Sequence, residues 1–200
     1  MACRNVASKM QRIEECLSAY QPRSVDVEST SRAAIALLLQ PRADDIYVLF
    51  IHRAHHPKDP WSGHMAFPGG RHEPADPDLL ITIQRDTDEE VGIDLAACGE
   101  YLGRLEEVQA MAGGRQTGMI VSPFVYSIPA DVRPVPDPVE VQDTIWVPLA
   151  FMLDKGAEQT VSRELQDGST IDVEALLYGG KTIWGLTYRV LRDFLTVINN

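Results

Sequence analysis

The sequence contains few cysteines, no long apolar run and no surplus of basic residues. Its three cysteines, Cys3, Cys16 and Cys98, are widely spaced and form no CxxC pair, which favours reduced thiols over disulfides. The longest apolar run, 33–39, is far shorter than the ~20 residues that span a bilayer. Residues 1–20 carry charges throughout and lack the apolar segment of a secretion signal. We therefore expect a cytoplasmic protein that has no membrane partner.

The charge balance is acidic, with 29 acidic against 18 basic residues and a net charge of −11. Nucleic-acid-binding proteins gain affinity by neutralising phosphates with cations, so we expect no nucleic-acid partner. A small phosphorylated ligand remains compatible if something local supplies positive charge. Apolar residues make up 44% of the chain and charged residues 24%, which excludes a disordered or fibrous protein. A length of 200 residues favours one domain.

Helices and strands alternate along the sequence, without internal repeats or low-complexity segments. Apolar residues at helical spacing predict helices at 4–19, 76–91 and 182–198. Runs of β-branched, apolar and aromatic residues predict strands at 32–39, 45–51, 101–105, 119–128 and 144–147. These elements predict one mixed α/β domain at 31–200, preceded by a helix and polar linker at 1–30.

Helix 76–91 has signals for both of its ends. Asp76 is a typical N-cap, Pro77 suits the first helical position, and Gly92 follows as the stop. The residues expected on its buried face are Leu79, Leu80, Ile83, Thr87 and Val91. A loop at 52–70 precedes this helix, and loops of this length inside a compact domain are usually functional.

Three carboxylates, Asp86, Glu89 and Glu90, lie on the opposite face of the same predicted helix. Their spacings of three and four residues allow all three to converge, although neighbouring like charges repel one another. A hard divalent cation such as Mg²⁺ or Mn²⁺ takes oxygen ligands and would turn that repulsion into coordination. The alternative is a solvated acidic face on an ordinary amphipathic helix, and the spacing alone leaves both open.

The segment 85–93, RDTDEEVGI, follows a Gly69–Gly70 pair and resembles the signature of the Nudix hydrolases, G-x5-E-x7-R-E-U-x-E-E-x-G-U, where U is aliphatic. It departs from that signature in two ways. Asp86 replaces a glutamate, and the loop between the glycines and Arg85 is one residue longer. The longer loop and the segment 66–71, AFPGGR, resemble the coenzyme A diphosphatase branch of the family.

The match to the coenzyme A signature of that branch is partial. Arg53 aligns with an arginine of the signature, whereas Trp61 stands where a histidine is expected and a second arginine is missing. The resemblance implies a Nudix-type α/β/α sandwich with a mixed β-sheet. It also implies metal-dependent hydrolysis of a diphosphate bond in a small nucleoside diphosphate derivative, with coenzyme A or an acyl-CoA as the expected substrate. It leaves open whether the chain forms a homodimer.

The resemblance also implies roles for residues of the signature helix. Asp86, Glu90 and the backbone carbonyl of Gly70 are the expected ligands of Mg²⁺ or Mn²⁺. Glu89 is expected to fill a second metal position or to orient the attacking water. Arg85 is expected to hold the carboxylates in place rather than to touch the substrate. Because Asp86 is one methylene shorter than glutamate, we expect it either to bind the metal more weakly or to reach it through a water.

Residues outside the helix complete the expected site. Glu140 is a candidate general base, with a solvated loop glutamate as the alternative. Arg53 and Gly69 are candidates for binding the substrate, and a structural ion pair is the alternative for Arg53. The histidines of the loop match no zinc pattern, so we expect them in the substrate loop or on the surface: His52, His55, His56 and His64. We expect Trp184 in the core.

Two other functions remain open at this point. The same chemistry on ADP-ribose, NADH or nucleotides is one alternative, because the coenzyme A signature is only partly matched. Alternatively, Asp86 in place of glutamate is compatible with a catalytically weak binding protein of Nudix fold. A loss of magnesium dependence in any observed turnover would favour the binding protein.

Overall fold

The computed structural model describes residues 2–25, 31–57, 59–112, 115–164, 168 and 170–199. In this part of the chain the helices are α1 (Ala2–Ala19), α2 (Leu79–Val91), α3 (Leu95–Cys98), α4 (Leu149–Met152) and α5 (Gly185–Asn199), with a 3-10 turn at Lys155–Ala157. The strands are β1 (Ser31–Pro41), β2 (Ile46–Arg53), β3 (Met65–Ala66), β4 (Gly69–Arg71), β5 (Glu100–Arg104), β6 (Val108–Ala112), β7 (Arg115–Ser127), β8 (Val141–Pro148), β9 (Glu158–Glu164), β10 (Thr170–Tyr178) and β11 (Lys181–Trp184). None of the described helices has the length and apolar character needed to cross a membrane.

A mixed sheet forms the centre of the fold. Its path runs β3-β2-β1-β7-β5, with β4 added to β1, β6 to β7 and β8 to β2. The long central pair, β1 and β7, is parallel, from Ser31 opposite Met119 to Leu39 opposite Ser127. The other described pairings in this sheet are antiparallel. A second, antiparallel sheet in the order β11-β10-β9 follows in the sequence.

Alternation along β1 shows how the sheet is sandwiched between helices. Ala34, Ala36 and Leu38 point to one face, where they share a buried cluster with Ile83 of α2. The residues that alternate with them, such as Leu37, point to the opposite face, where they join the buried residues of α1 and α5. Successive side chains of a strand face opposite sides, so a strand that is apolar in both phases requires cover on both faces. The α/β/α sandwich with a mixed sheet is therefore confirmed.

The predicted N-terminal helix packs its apolar face on this core through Val6, Met10, Ile13 and Leu17. Lys9 of the same helix forms an ion pair of 2.9 Å with the buried Asp45. Part of the predicted linker, 26–30, lies outside the described residues. The division of the chain at residue 30 stays a prediction.

Helix α2 begins later than its sequence signals suggest. Its N-cap is Asp78, whose side chain accepts a hydrogen bond from the Ile81 backbone, and its C-cap is Gly92 in the left-handed region with φ of 65°. The prediction of Asp76 as N-cap is wrong, because the carboxylate of Asp76 is engaged by other groups described below. The expected buried face is correct at Ile83, Thr87 and Val91. Leu79 is partly buried against the core. The expectation is wrong at Leu80, which is 36% exposed, because the buried face of the first turn passes through Leu79 and Thr82 instead.

Two further expectations need correction. Residues 182–184 belong to strand β11, which pairs with β10, so the C-terminal helix starts only at Gly185. The loop expected at 52–70 contains strands β3 and β4. The hairpin of β9 and β10 was not expected, because most of its residues are polar and exposed and form no apolar run.

Candidate active site

Strand β4 carries the Gly69–Gly70 backbone against helix α2. Opposite β1, Gly69 pairs with Ile35 and Gly70 with Ala34. Gly69 has φ of 137°, and a Cβ there would lie only 2.1 Å from the Ala34 carbonyl oxygen. A Cβ on Gly70 would lie 2.6 Å from Oδ2 of Asp86. Position 69 therefore requires glycine, and a side chain at position 70 would displace the Asp86 carboxylate. The two glycines let the backbone lie directly beside the carboxylates of α2.

Glu90 is the most buried of these carboxylates, with 4% of the residue exposed. Its Oε2 accepts a hydrogen bond of 2.7 Å from the Gly69 backbone N–H. Its Oε1 lies 3.9 Å from Nη1 of Arg53, too far for a hydrogen bond. Burial raises the pKa of Glu90 to about 8, although the Gly69 N–H and the Arg53 charge favour the ionised form.

Asp86 lies one turn before Glu90 and is 8% exposed. Its Oδ1 accepts a hydrogen bond of 2.6 Å from Nη1 of Arg85. Its Oδ2 is buried and accepts no hydrogen bond from any described residue. Burial raises the pKa of Asp86 to about 6; the Arg85 charge opposes this, and the negative charges of Glu89 and Glu140 add to it. A buried carboxylate oxygen that faces a bare glycine is well suited to bind a hard cation.

Arg85 joins the helix to the preceding loop. Its guanidinium donates to Asp86 and, at 3.3 Å, to Glu89 on the helix. On the loop side, Nε and Nη2 donate to the two oxygens of Asp76 at 3.2 and 3.0 Å. These hydrogen bonds, together with one from the Glu73 backbone, hold the pKa of Asp76 well below its usual range. The geometry matches a role in which Arg85 orients carboxylates.

The structure does not bring all three helix carboxylates together. Asp86 and Glu90, four residues apart, both face β4, whereas the Glu89 side chain is 57% exposed and contacts Arg85. Among the described residues, no three His, Cys, Asp or Glu side chains are arranged to hold a metal ion together. The spacing allows all three carboxylates to converge, but in the structure only Asp86 and Glu90 lie together, because the helical rotation that joins them turns Glu89 toward solvent.

Glu140 lies in the turn before β8 and is exposed. Its backbone carbonyl accepts a hydrogen bond of 2.8 Å from Ala54, which fixes the turn against the end of β2. Its charge contributes to the raised pKa of both Asp86 and Glu90. The Glu140 charge therefore acts electrostatically on both buried carboxylates.

Arg53 lies at the C-terminal end of β2 and faces Glu90. Its Nη2 and Nε donate to Oδ2 of Asp59 at 2.6 and 3.1 Å. The guanidinium is thus held by a neighbouring loop residue that the sequence analysis did not single out. The only sequence signal for Asp59 is its position six residues after Arg53, directly before Pro60 and Trp61.

A cavity of about 1010 Å³ opens beside Gly69, Gly70 and Arg53. It extends between α5, the β9–β11 sheet and the β6–β7 hairpin. Its apolar lining includes Trp61, Met111, Ile171, Val173 and Trp184. We call this cavity the apolar chamber. It lies at the upper end of the size range of small-molecule sites, and so has room for a large ligand.

Trp184 is a wall of the apolar chamber rather than a core residue, so that expectation is wrong. Its ring packs on the ring of His64 at a centroid distance of 4.8 Å. Trp61 closes another side, where its Nε1 donates to the Met111 carbonyl at 3.0 Å. His55 accepts or donates a hydrogen bond with Ser62 at 2.7 Å. His52 lies 3.0 Å from Lys181, so these loop histidines form structural contacts.

Comparison with known proteins defines the class. The family model of the NUDIX domain matches residues 29–167, so the chain belongs to the Nudix family. Nudix hydrolases generally use divalent metal ions and act on nucleoside diphosphate derivatives. Family membership and the named relatives indicate a hydrolase that acts on pyrophosphate bonds.

Individual relatives are distant. An uncharacterized protein of Schizosaccharomyces pombe is 32% identical over 157 residues, which cover 70% of this chain and 48% of that protein. The chain thus spans about half the length of this relative. The uncharacterized Nudix hydrolase NudL of Yersinia pestis is 30% identical over 166 residues, which cover 82% and 78% of the two chains. The MutT NUDIX hydrolase structure from Burkholderia pseudomallei has the same fold, with a TM-score of 0.50, 19% identity and coverage of 87% and 98%.

Proposed function

We propose that this chain is a metal-dependent diphosphatase of coenzyme A or its acyl esters. The observation that carries the proposal is the apolar chamber, whose lining includes Arg53, Gly69 and Gly70. These residues lie next to the buried pair Asp86 and Glu90. A substrate whose diphosphate lies at that pair can extend an apolar arm into the chamber. Pantetheine and acyl groups are arms of this kind, and burying their apolar surface favours binding.

Asp86, Glu90 and the Gly70 carbonyl are the proposed ligands of Mg²⁺ or Mn²⁺. The unpaired Oδ2 of Asp86 and the bare face of Gly70 support this assignment. Burial raises the pKa of both carboxylates, and a cation at this position would favour their ionised forms. Once bound, the metal neutralises the diphosphate and acidifies the attacking water.

The other residues position groups and move a proton. Glu140 accepts a proton from the attacking water as the new P–O bond forms. The anhydride P–O bond then breaks, and its electrons pass to the leaving phosphate oxygen. Arg53 binds the diphosphate, and Gly69 lines the chamber beside it while its N–H holds Glu90. Arg85 orients Asp86. Glu89 orients the water or binds a second cation from its exposed position.

A second candidate is the same reaction on ADP-ribose, NADH or a nucleotide. The rings of His64 and Trp184 in the chamber wall favour it, since aromatic side chains stack well on bases. A substrate screen separates the candidates. Purified protein is assayed against coenzyme A, a medium-chain acyl-CoA, NADH, ADP-ribose and nucleotides, each with Mg²⁺ and with Mn²⁺.

The proposal predicts that the highest kcat/KM belongs to coenzyme A or the acyl-CoA, with 3′-phospho-AMP as one product. Preference for ADP-ribose or NADH would move the assignment to the second candidate. Absence of turnover on every substrate with both metals would contradict the enzyme and favour a binding protein.

A further inference from the structure

Arg53 lies between two carboxylates that it engages unequally. Asp59 accepts hydrogen bonds of 2.6 and 3.1 Å from the guanidinium. Glu90, on the other side, approaches no closer than 3.9 Å from Oε1 to Nη1. The shorter contact is a charge-assisted hydrogen bond, whereas the longer one is only an electrostatic attraction.

Asp59 is itself held in place by its own loop. Its side chain is 16% exposed, and its Oδ1 accepts a hydrogen bond of 3.0 Å from the Trp61 backbone. The Trp61 side chain is anchored to the Met111 carbonyl across the chamber. Burial alone would raise the pKa of Asp59, but the hydrogen bonds from Arg53 and Trp61 lower it, so the carboxylate stays ionised.

The contact with Asp59 affects what remains available on Glu90. Oε2 of Glu90 is already engaged by the Gly69 N–H. If Asp59 did not hold the guanidinium, Arg53 would be free to close on Oε1 to about 2.8 Å, the length of a charge-assisted hydrogen bond. Both oxygens of Glu90 would then be occupied by donors, and a cation would have to displace Arg53.

We propose that Asp59 is a positioning residue that restrains Arg53 and thereby keeps Oε1 of Glu90 available to a divalent cation. The inference rests on the proposed function, which assigns Glu90 as a metal ligand. It adds a second consequence of the position of Arg53: besides its proposed contact with the diphosphate, the guanidinium would compete with a cation for Glu90 if the loop did not hold it at a fixed distance.

The test measures Mn²⁺ binding to the purified protein by calorimetry, without substrate. We expect Asp59→Asn, which keeps the size of the side chain but removes its charge, to weaken Mn²⁺ affinity about 10- to 100-fold, the usual effect of losing a group behind a ligand. Asp44→Asn is the matched control. Asp44 also accepts a hydrogen bond, from Tyr47 at 2.8 Å, but it lies at the opposite end of β2.

The decisive variant is the double substitution Arg53→Gln with Asp59→Asn. Because the competing guanidinium is gone, we expect it to bind Mn²⁺ as tightly as the wild type. A double variant that stays as weak as Asp59→Asn would overturn the proposal and show that Asp59 only supports the loop. Equal affinity of Asp59→Asn and the wild type would overturn it as well.

Two results separate this inference from the proposed function. If the wild type binds no Mn²⁺, the metal assignment fails and the inference fails with it. If the wild type binds Mn²⁺ and Asp59→Asn is unchanged, only the inference fails. Should Asp59→Asn not fold, as judged by circular dichroism, Arg53→Gln alone decides: we expect affinity at or above the wild-type level, and a loss of binding would overturn the proposal.

Discussion

The surroundings of Asp86 determine what the additional methylene of a glutamate would do at this position. From the sequence, Asp86→Glu could restore the family residue on an open helix face or crowd a site adjusted to aspartate. The structure shows a buried Asp86 whose Oδ2 lies so close to Gly70 that a Cβ there would be 2.6 Å away. The second outcome follows, because a longer side chain has to enter the space between α2 and β4.

We expect Asp86→Glu to lower kcat/KM about tenfold and Asp86→Ala to lower it at least a hundredfold, since removing a group that holds a metal costs 10- to 100-fold or more. Kinetics over a Mn²⁺ titration measure both. Asp88→Glu is the control, because Asp88 is exposed on the same helix. An unchanged metal dependence in both Asp86 variants would remove Asp86 from the site.

Glu90 allows a cleaner substitution, since glutamine keeps its size and an acceptor for the Gly69 N–H. Glu90→Gln removes the charge that attracts the cation, so we expect turnover to fall at least two orders of magnitude while the fold persists. Steady-state kinetics and the circular dichroism spectrum measure the two effects. Activity within a few-fold of the wild type would exclude Glu90 as a ligand.

The raised pKa of Glu90 also predicts how stability depends on pH without metal. The folded protein holds the proton up to about pH 8, whereas the unfolded chain releases it near 4.5. Between these values the folded state binds more protons, so the free energy of unfolding falls as pH rises. Asp86, with its pKa near 6, acts in the same direction. Urea unfolding between about pH 5 and 8 should show a shallower decline in Glu90→Gln than in the wild type; equal slopes would contradict the assignment.

At the scale of the element, α2 shows what local sequence signals can and cannot predict. The spacing of its apolar residues predicts the helix and the burial of Ile83 and Val91, and the glycine at position 92 predicts its end. Its start does not, because Asp76 and Asp78 are both good N-caps. The choice depends on Arg85, which engages Asp76 from nine residues away.

The same limit applies to other elements. Strands β1 and β2 are buried on both faces, so their apolar runs identify them. Strands β9 and β10 are mostly polar, and they form a sheet only by pairing with each other and with β11. The apolar chamber depends on that sheet and on the position of α5, which are long-range contacts that no local pattern encodes.

Asp76 and Asp78 form a matched pair for a test. Asp78→Ala removes the helix cap and should cost about 1 kcal/mol of stability with little effect on kcat. Asp76→Ala releases the loop side of Arg85 and should lower kcat, because Arg85 also orients Asp86. Thermal unfolding measures the loss of stability in each variant, and steady-state kinetics measure the loss of kcat. If both lost only stability, Arg85 would have no part in orienting Asp86.

At the scale of the whole molecule, residues of the two sheets and α5 line a chamber beside Gly69 and Gly70. Apolar residues that are exposed usually need no explanation, but Ile171 and Met111 both lie at this chamber. Ile171 is 38% exposed, so its apolar surface is already accessible to a ligand in the folded structure. Under the proposed function, this arrangement would separate the diphosphate chemistry at α2 from the recognition of the substrate's other arm.

This separation predicts a change in KM that depends on the substrate. Ile171→Asn should raise KM for an acyl-CoA about fivefold with kcat nearly unchanged, since partial burial of an isoleucine contributes about 1 kcal/mol. KM for ADP-ribose, which lacks an apolar arm, should not change. Leu153→Asn is the control, because Leu153 is 41% exposed and lies outside the residues that line the chamber. A KM that rises equally for both substrates, or that rises in the control, would show that the chamber does not hold the acyl arm.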